Sequence, residues 1–106
     1  MPDISELLKF SFAEDIEAEW DMYMEEGDTI QEATTQILDQ YTGMLDEQES
    51  LEIYVALALL QLPLEEIDSR VKREINDMIG TKSLEGCFNK EVNLRPYMQQ
   101  LKKYCR

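Results

Sequence analysis

The stretch Leu51-Glu52-Ile53-Tyr54-Val55-Ala56-Leu57-Ala58-Leu59-Leu60 decides the fold. Glu52 is its only charged residue. Wound as an α-helix at about 100° per residue, it is apolar all round, and such a helix must be enclosed by other elements. It is shorter than the roughly 18 apolar residues that a membrane span requires. The rest of the chain should therefore supply the walls around it.

Proline and glycine punctuate the flanking sequence at helix lengths. Downstream, the central helix ends before Pro63, and a further helix is predicted from near Leu64 to Gly80. Its stripe is Ile67, Val71, Ile75, Met78 and Ile79. One short turn is expected between Ser83 and Phe88. A last helix opens near Leu94 or Pro96, since proline is tolerated in a first turn. It runs to the C-terminus with Leu94, Tyr97, Met98, Leu101 and Tyr104 on one side.

Upstream, the acidic turn Asp46-Glu47-Gln48-Glu49 precedes the central helix. Thr29 with Glu32 reads as a capping box. It opens a helix with Ile30, Ala33, Ile37, Leu38 and Tyr41 inward, closed by Gly43 as a left-handed cap. Ser11 with Glu14 reads the same way and opens a helix that stops at Gly27. Asp3 with Glu6 opens a short one ending near Phe10. No segment alternates convincingly as a strand. The expectation is an all-α single domain over residues 1–106, a bundle of about five to seven helices around the central one at about residues 50–62. A chain this size buries somewhat over about 60% of its unfolded surface, enough for one core.

Charge is the second strong signal. The chain has 23 acidic and 10 basic residues, no histidine, and a net charge of −13. Residues 1–62 hold 16 acids and one base, Lys9, whereas residues 63–106 hold 7 acids and 9 bases. This surface repels nucleic acid and anionic membrane, and it favours a basic protein partner. Between Glu14 and Glu32 lie nine acids and no base. On the helix that starts near Ser11, Phe12, Ala13, Ile16, Trp20, Tyr23 and Met24 fill one arc, which is core. Acids cover the remainder, with Ala18 and Met22 set among them. Like charges one turn apart, such as Glu14 with Glu17 and Asp21 with Glu25, each cost the helix about 0.2–0.5 kcal/mol. A solubilising face would be the ordinary explanation. Here counter-charge is nearly absent, and an apolar Met22 stands inside the patch. The candidate partner-binding residues are Glu14, Glu17, Asp21, Met22, Glu25, Glu26 and Asp28.

Enzyme chemistry finds little to work with. Without histidine there is no imidazole base, Ser-His or Cys-His pair, or imidazole metal ligand. The four glycines form no phosphate-binding loop. Paired carboxylates could do acid–base work only in a pocket that separates their pKa values. Neither Glu25-Glu26-Gly27-Asp28 nor Asp46-Glu47-Gln48-Glu49 has the alternating oxygen ligands of a calcium loop. No catalytic residue, cofactor or metal is expected. Cys87 and Cys105 are expected as free thiols, as they lack CxxC spacing and a histidine. Met1-Pro2-Asp3 opens without a basic, then apolar, leader, so the expected compartment is the cytoplasm.

Three stretches resemble a family of small acidic helical bacterial immunity proteins, of the kind found in contact-dependent growth inhibition and polymorphic toxin systems. They are Phe12-Ala13-Glu14-Asp15-Ile16; Gly27-Asp28-Thr29-Ile30-Gln31-Glu32-Ala33-Thr34 with Ile37, Leu38 and Tyr41; and Ile53-Tyr54-Val55-Ala56-Leu57-Ala58-Leu59-Leu60-Gln61 with Ile67 and Val71. Order and spacing over about residues 12–79 carry the similarity. The family's opening tryptophan-glycine is absent, and Leu62 stands where it has a tryptophan after the glutamine. The resemblance implies an immunity protein that neutralises a cognate basic toxin, a ribonuclease or other nuclease, by covering its active site. It implies no catalytic residues. Two other functions would use such a chain: an acidic nucleic-acid mimic that inhibits a DNA-binding or defence protein, and a structural subunit of a larger assembly. The identity of the neighbouring gene separates them.

Overall fold

The computed structural model describes residues 7–8, 12–41, 43, 47–89, 93 and 95–105, without the side chains of 47–49. These residues form five α-helices and no strand: α1 (Ala13–Glu25), α2 (Ile30–Tyr41), α3 (Glu47–Gln61), α4 (Ser69–Thr81) and α5 (Arg95–Tyr104). Short 3-10 turns follow α3 at Leu62–Leu64 and α4 at Leu84–Cys87. The expected Asp3–Glu6 box with its short helix, Ser11, Asp46, Leu94 and the residues either side of Gly43 lie outside the described residues.

The central helix is α3. Val55, Ala56, Leu57, Ala58 and Leu59 are consecutive and all buried, so no side of it faces water. It packs against α1, α2, α4 and both 3-10 turns. Each of these lays the apolar side expected from its sequence on the core: Ala13, Ile16 and Trp20 from α1, Ala33, Ile37, Leu38 and Tyr41 from α2, and Val71, Ile75 and Met78 from α4. α5 adds Leu101 and packs on α4 and on Leu62–Leu64. The described N-terminal residues Leu7 and Leu8 are buried too. An antiparallel bridge joins Leu8 to Phe88, and the Asn89 amide N–H donates to the Leu7 carbonyl at 2.8 Å.

The helix ends obey local chemistry, with four departures from expectation. The Thr29–Glu32 capping box is formed in both directions: the Thr29 N–H donates to Glu32 Oε1 at 3.0 Å and the Glu32 N–H to Thr29 Oγ1 at 3.1 Å. Gly27 ends α1 at φ +93°, with the Asp28 N–H reaching back to the Tyr23 carbonyl, a left-handed closure that glycine accepts without strain.

The N-cap position of α1, however, is Phe12 rather than Ser11, and Phe12 makes no side-chain cap. Its ring packs near Tyr41, at 6.2 Å between centroids. Glu47 to Glu49 already belong to α3 rather than to a turn before it; acids in a first turn suit the helix dipole. α4 does not start near Leu64. Leu62–Leu64 is a 3-10 turn closed by Glu65 in the left-handed region, and α4 begins after Asp68, whose side chain caps it. Nor does α4 end at Gly80: it runs on to Thr81 and is closed by Lys82 at φ +62°.

The start of α4 is fixed by a buried polar relay. Gln61, fully buried at the end of α3, donates to Thr34 Oγ1 at 2.9 Å and accepts the Asp68 N–H at 2.8 Å. The Thr34 hydroxyl in turn donates a hydrogen bond to the Ile30 carbonyl. Arg70 pairs with Asp68 at 3.0 Å and donates to Thr35 Oγ1 on α2 at 2.9 Å. Three helices meet there with their polar groups satisfied, as burial demands.

Burial alone would raise the Asp68 carboxyl. The Arg70 side-chain and backbone hydrogen bonds, the Arg70 charge and the Val71 N–H outweigh it and hold the group below its usual value. A carboxyl depressed by folding contributes stability above its unfolded pKa, and that contribution is lost as pH falls through the folded value. Acid unfolding should therefore steepen below about pH 4. Asp68→Asn should be less stable than the parent at pH 7, with the gap closing as the pH drops. Denaturant titrations at both ends of that range check this, and a constant gap would contradict it.

Candidate functional site

The acidic residues of α1 lie where its geometry puts them. With Ala13, Ile16 and Trp20 turned inward, the opposite side of a 100° helix runs through Glu14, Ala18, Asp21, Met22 and Glu25. All five are exposed. Met22, 46% exposed, and Leu64, 45%, are the exposed large hydrophobic residues among those described. Leu64 sits in the turn after α3, remote in sequence from this face. Met22 is thus an apolar tip with the small Ala18 one turn before it and carboxylates on both sides. Glu14, Asp21, Glu25 and Glu26 are exposed and have no ion-pair partner among the described residues.

Two of the seven candidates sit differently. Glu17 is half-buried, at the edge of the face. Asp28 lies beyond the end of α1, also half-buried, and Asp28 Oδ2 accepts a hydrogen bond from Gln36 Nε2 of α2. Glu14, Asp21, Met22, Glu25 and Glu26 therefore form the open face, with Glu17 and Asp28 at its margins.

The structure adds a residue absent from the candidate set. Glu19 faces the seam between α1 and α2, where Gln40 Nε2 donates to its Oε1 at 2.8 Å. Its other oxygen, Oε2, is buried. Tyr41 lies beside it: burial first, and then the Glu19 carboxylate, push the phenol well above its ordinary value. Tyr23 is shifted the same way by burial and then by Glu19, Glu26 and Asp28.

Elsewhere the surface offers less. A cavity of about 420 Å³ is bordered by Gln31, Glu66, Asp68 and Arg70, but its two strongest polar groups, Asp68 and Arg70, satisfy one another. A second, of about 360 Å³, lies between Leu62, Pro63 and Tyr104. No three metal-ligating side chains converge among the described residues. Cys87 and Cys105 are both free and buried, and burial pushes the Cys105 thiol up to about 11. No helix of the described residues is long and apolar enough to cross a membrane. No family model, curated protein sequence or solved structure matches the chain.

Proposed function

We propose that this chain is an immunity protein that binds a cationic toxin domain and neutralises it in the cytoplasm, without chemistry of its own. The observation that carries the proposal is the open face of α1: Glu14, Asp21, Glu25 and Glu26 exposed around Met22, unpaired among the described residues. A surface that serves solubility alone usually intersperses both signs of charge. Here one sign is concentrated, at a cost in like-charge repulsion along the helix.

A nuclease is the toxin class that fits best. Its cleft must hold phosphates and is therefore basic. A protein that presents carboxylates on a rigid helix can occupy that cleft in place of the substrate. Long-range attraction would bring the two together, and Met22 would supply a dry contact once they dock. The resemblance of residues 12–79 to bacterial immunity proteins supports the same assignment.

The test is genetic and biochemical. The cationic protein encoded beside this chain's gene should be toxic when expressed alone and harmless when co-expressed with it. The purified pair should form a stoichiometric complex in which nuclease activity is lost. Failure of that protein to bind, or survival that does not depend on this chain, overturns the proposal.

A further inference from the structure

We infer that Gln36 and Gln40 of α2 are positioning residues for this surface, so that a cationic nuclease-type partner covers the seam between α1 and α2 and not α1 alone. The inference rests on the reading of the acidic face as the partner surface.

Gln36 and Gln40 are one helical turn apart and both are exposed. Each donates its amide across the seam, Gln36 to Asp28 and Gln40 to Glu19. A surface carboxylate is commonly steadied by lysine or arginine, which cancels its charge. An amide steadies it and leaves the charge in place. In residues 1–62 the sequence holds five glutamines and one lysine, so neutral donors predominate there.

Such clamping matters for affinity. A free glutamate or aspartate must give up rotamers when a cation captures it, and that ordering cost is subtracted from binding. Glu19 and Asp28 are already ordered in the unbound chain. Arginine or lysine side chains of a phosphate-binding cleft would meet two fixed carboxylates beside the open row of α1. Shape and position, in addition to net charge, would then determine how long the complex lasts.

The experiment uses the full chain and the cationic protein encoded beside its gene, with the latter's nuclease activity abolished, in a surface-binding assay at several salt concentrations. The double substitution Gln36→Ala with Gln40→Ala leaves the net charge at −13. It should leave k_on and its salt dependence unchanged and raise k_off about 5- to 50-fold. The melting temperature should move by no more than about 2–4 °C, because both side chains are exposed. Gln36→Lys with Gln40→Lys should do the reverse: the carboxylates stay held, but k_on falls and its salt dependence flattens.

If the alanine pair lowers the melting temperature and leaves k_off alone, the glutamines merely join two helices and the inference fails. Asp21→Lys with Glu25→Lys, run in parallel, tests the underlying reading. If that variant loses affinity while the alanine pair does not, only the positioning role is overturned. If it binds as the parent does, or if the parent does not bind, the surface itself is misassigned and the positioning role falls with it.

Discussion

Leu57→Ala should cost about 2–5 kcal/mol and lower the melting temperature by roughly 10–25 °C. Leu57 is fully buried, at the middle of the five consecutive buried residues of α3. Truncating it removes contacts on a helix enclosed by α1, α2 and α4, and the surroundings of such a site relax only in part. Against a total stability of about 5–15 kcal/mol, that loss is severe. The control is Leu64→Ala: the same chemistry at a site 45% exposed should change stability by less than about 0.5 kcal/mol. Far-UV circular dichroism and the fluorescence of the buried Trp20 can follow both variants. A Leu57→Ala loss under about 1 kcal/mol would mean that α3 is not the centre of the core.

That central helix was the most legible element in the chain, because a run without a polar side has only one stable place. The inward faces of α1, α2 and α4 were legible for a related reason: their apolar residues recur at three and four, and burial followed that period. Tight local rules worked too, since the Thr29–Glu32 box and Gly27 need only neighbours in sequence.

What was not legible depends on contacts distant in sequence. Gln61 follows an apolar run and looks like its polar end, yet it is fully buried because Thr34, 27 residues earlier, accepts its amide proton. The onset of α4 at Ser69 follows from the same relay, because the Asp68 N–H is taken by Gln61 while the Asp68 side chain caps the helix. From sequence alone, apolar Leu64 and Ile67 extended the helix pattern backwards across that break. Gly80 looked like a stop, but the left-handed position fell two residues later, on Lys82. At the candidate site the periodicity placed Met22 and its flanking acids outward. It could not show that Glu19 and Asp28 are held by glutamines of the next helix, since that requires the spacing of α1 and α2 in the fold.

Asp21→Lys with Glu25→Lys should slow association with the cationic partner roughly 10- to 100-fold at low salt, the largest functional effect expected of any pair on this face. The double change moves the net charge from −13 to −9, two units at each position. It acts where encounter is steered, on exposed residues one turn apart. Steering is screened over about 8–10 Å at ordinary ionic strength, so the gap between parent and variant should narrow as salt is added. Folding should survive, and removal of a like-charge pair leaves α1 slightly more stable if anything. Met22→Ala should separate from it in kinetics. The methionine carries no charge and is 46% exposed, so k_on should hold. A central apolar contact forms only after docking, so its loss should raise k_off by about tenfold. A face that only keeps the chain in solution would behave otherwise. Charge reversal would then lower solubility while leaving affinity and protection of cells intact, and Met22→Ala would change neither rate. Stopped-flow association measured against salt, together with a survival assay on the same variants, decides between them.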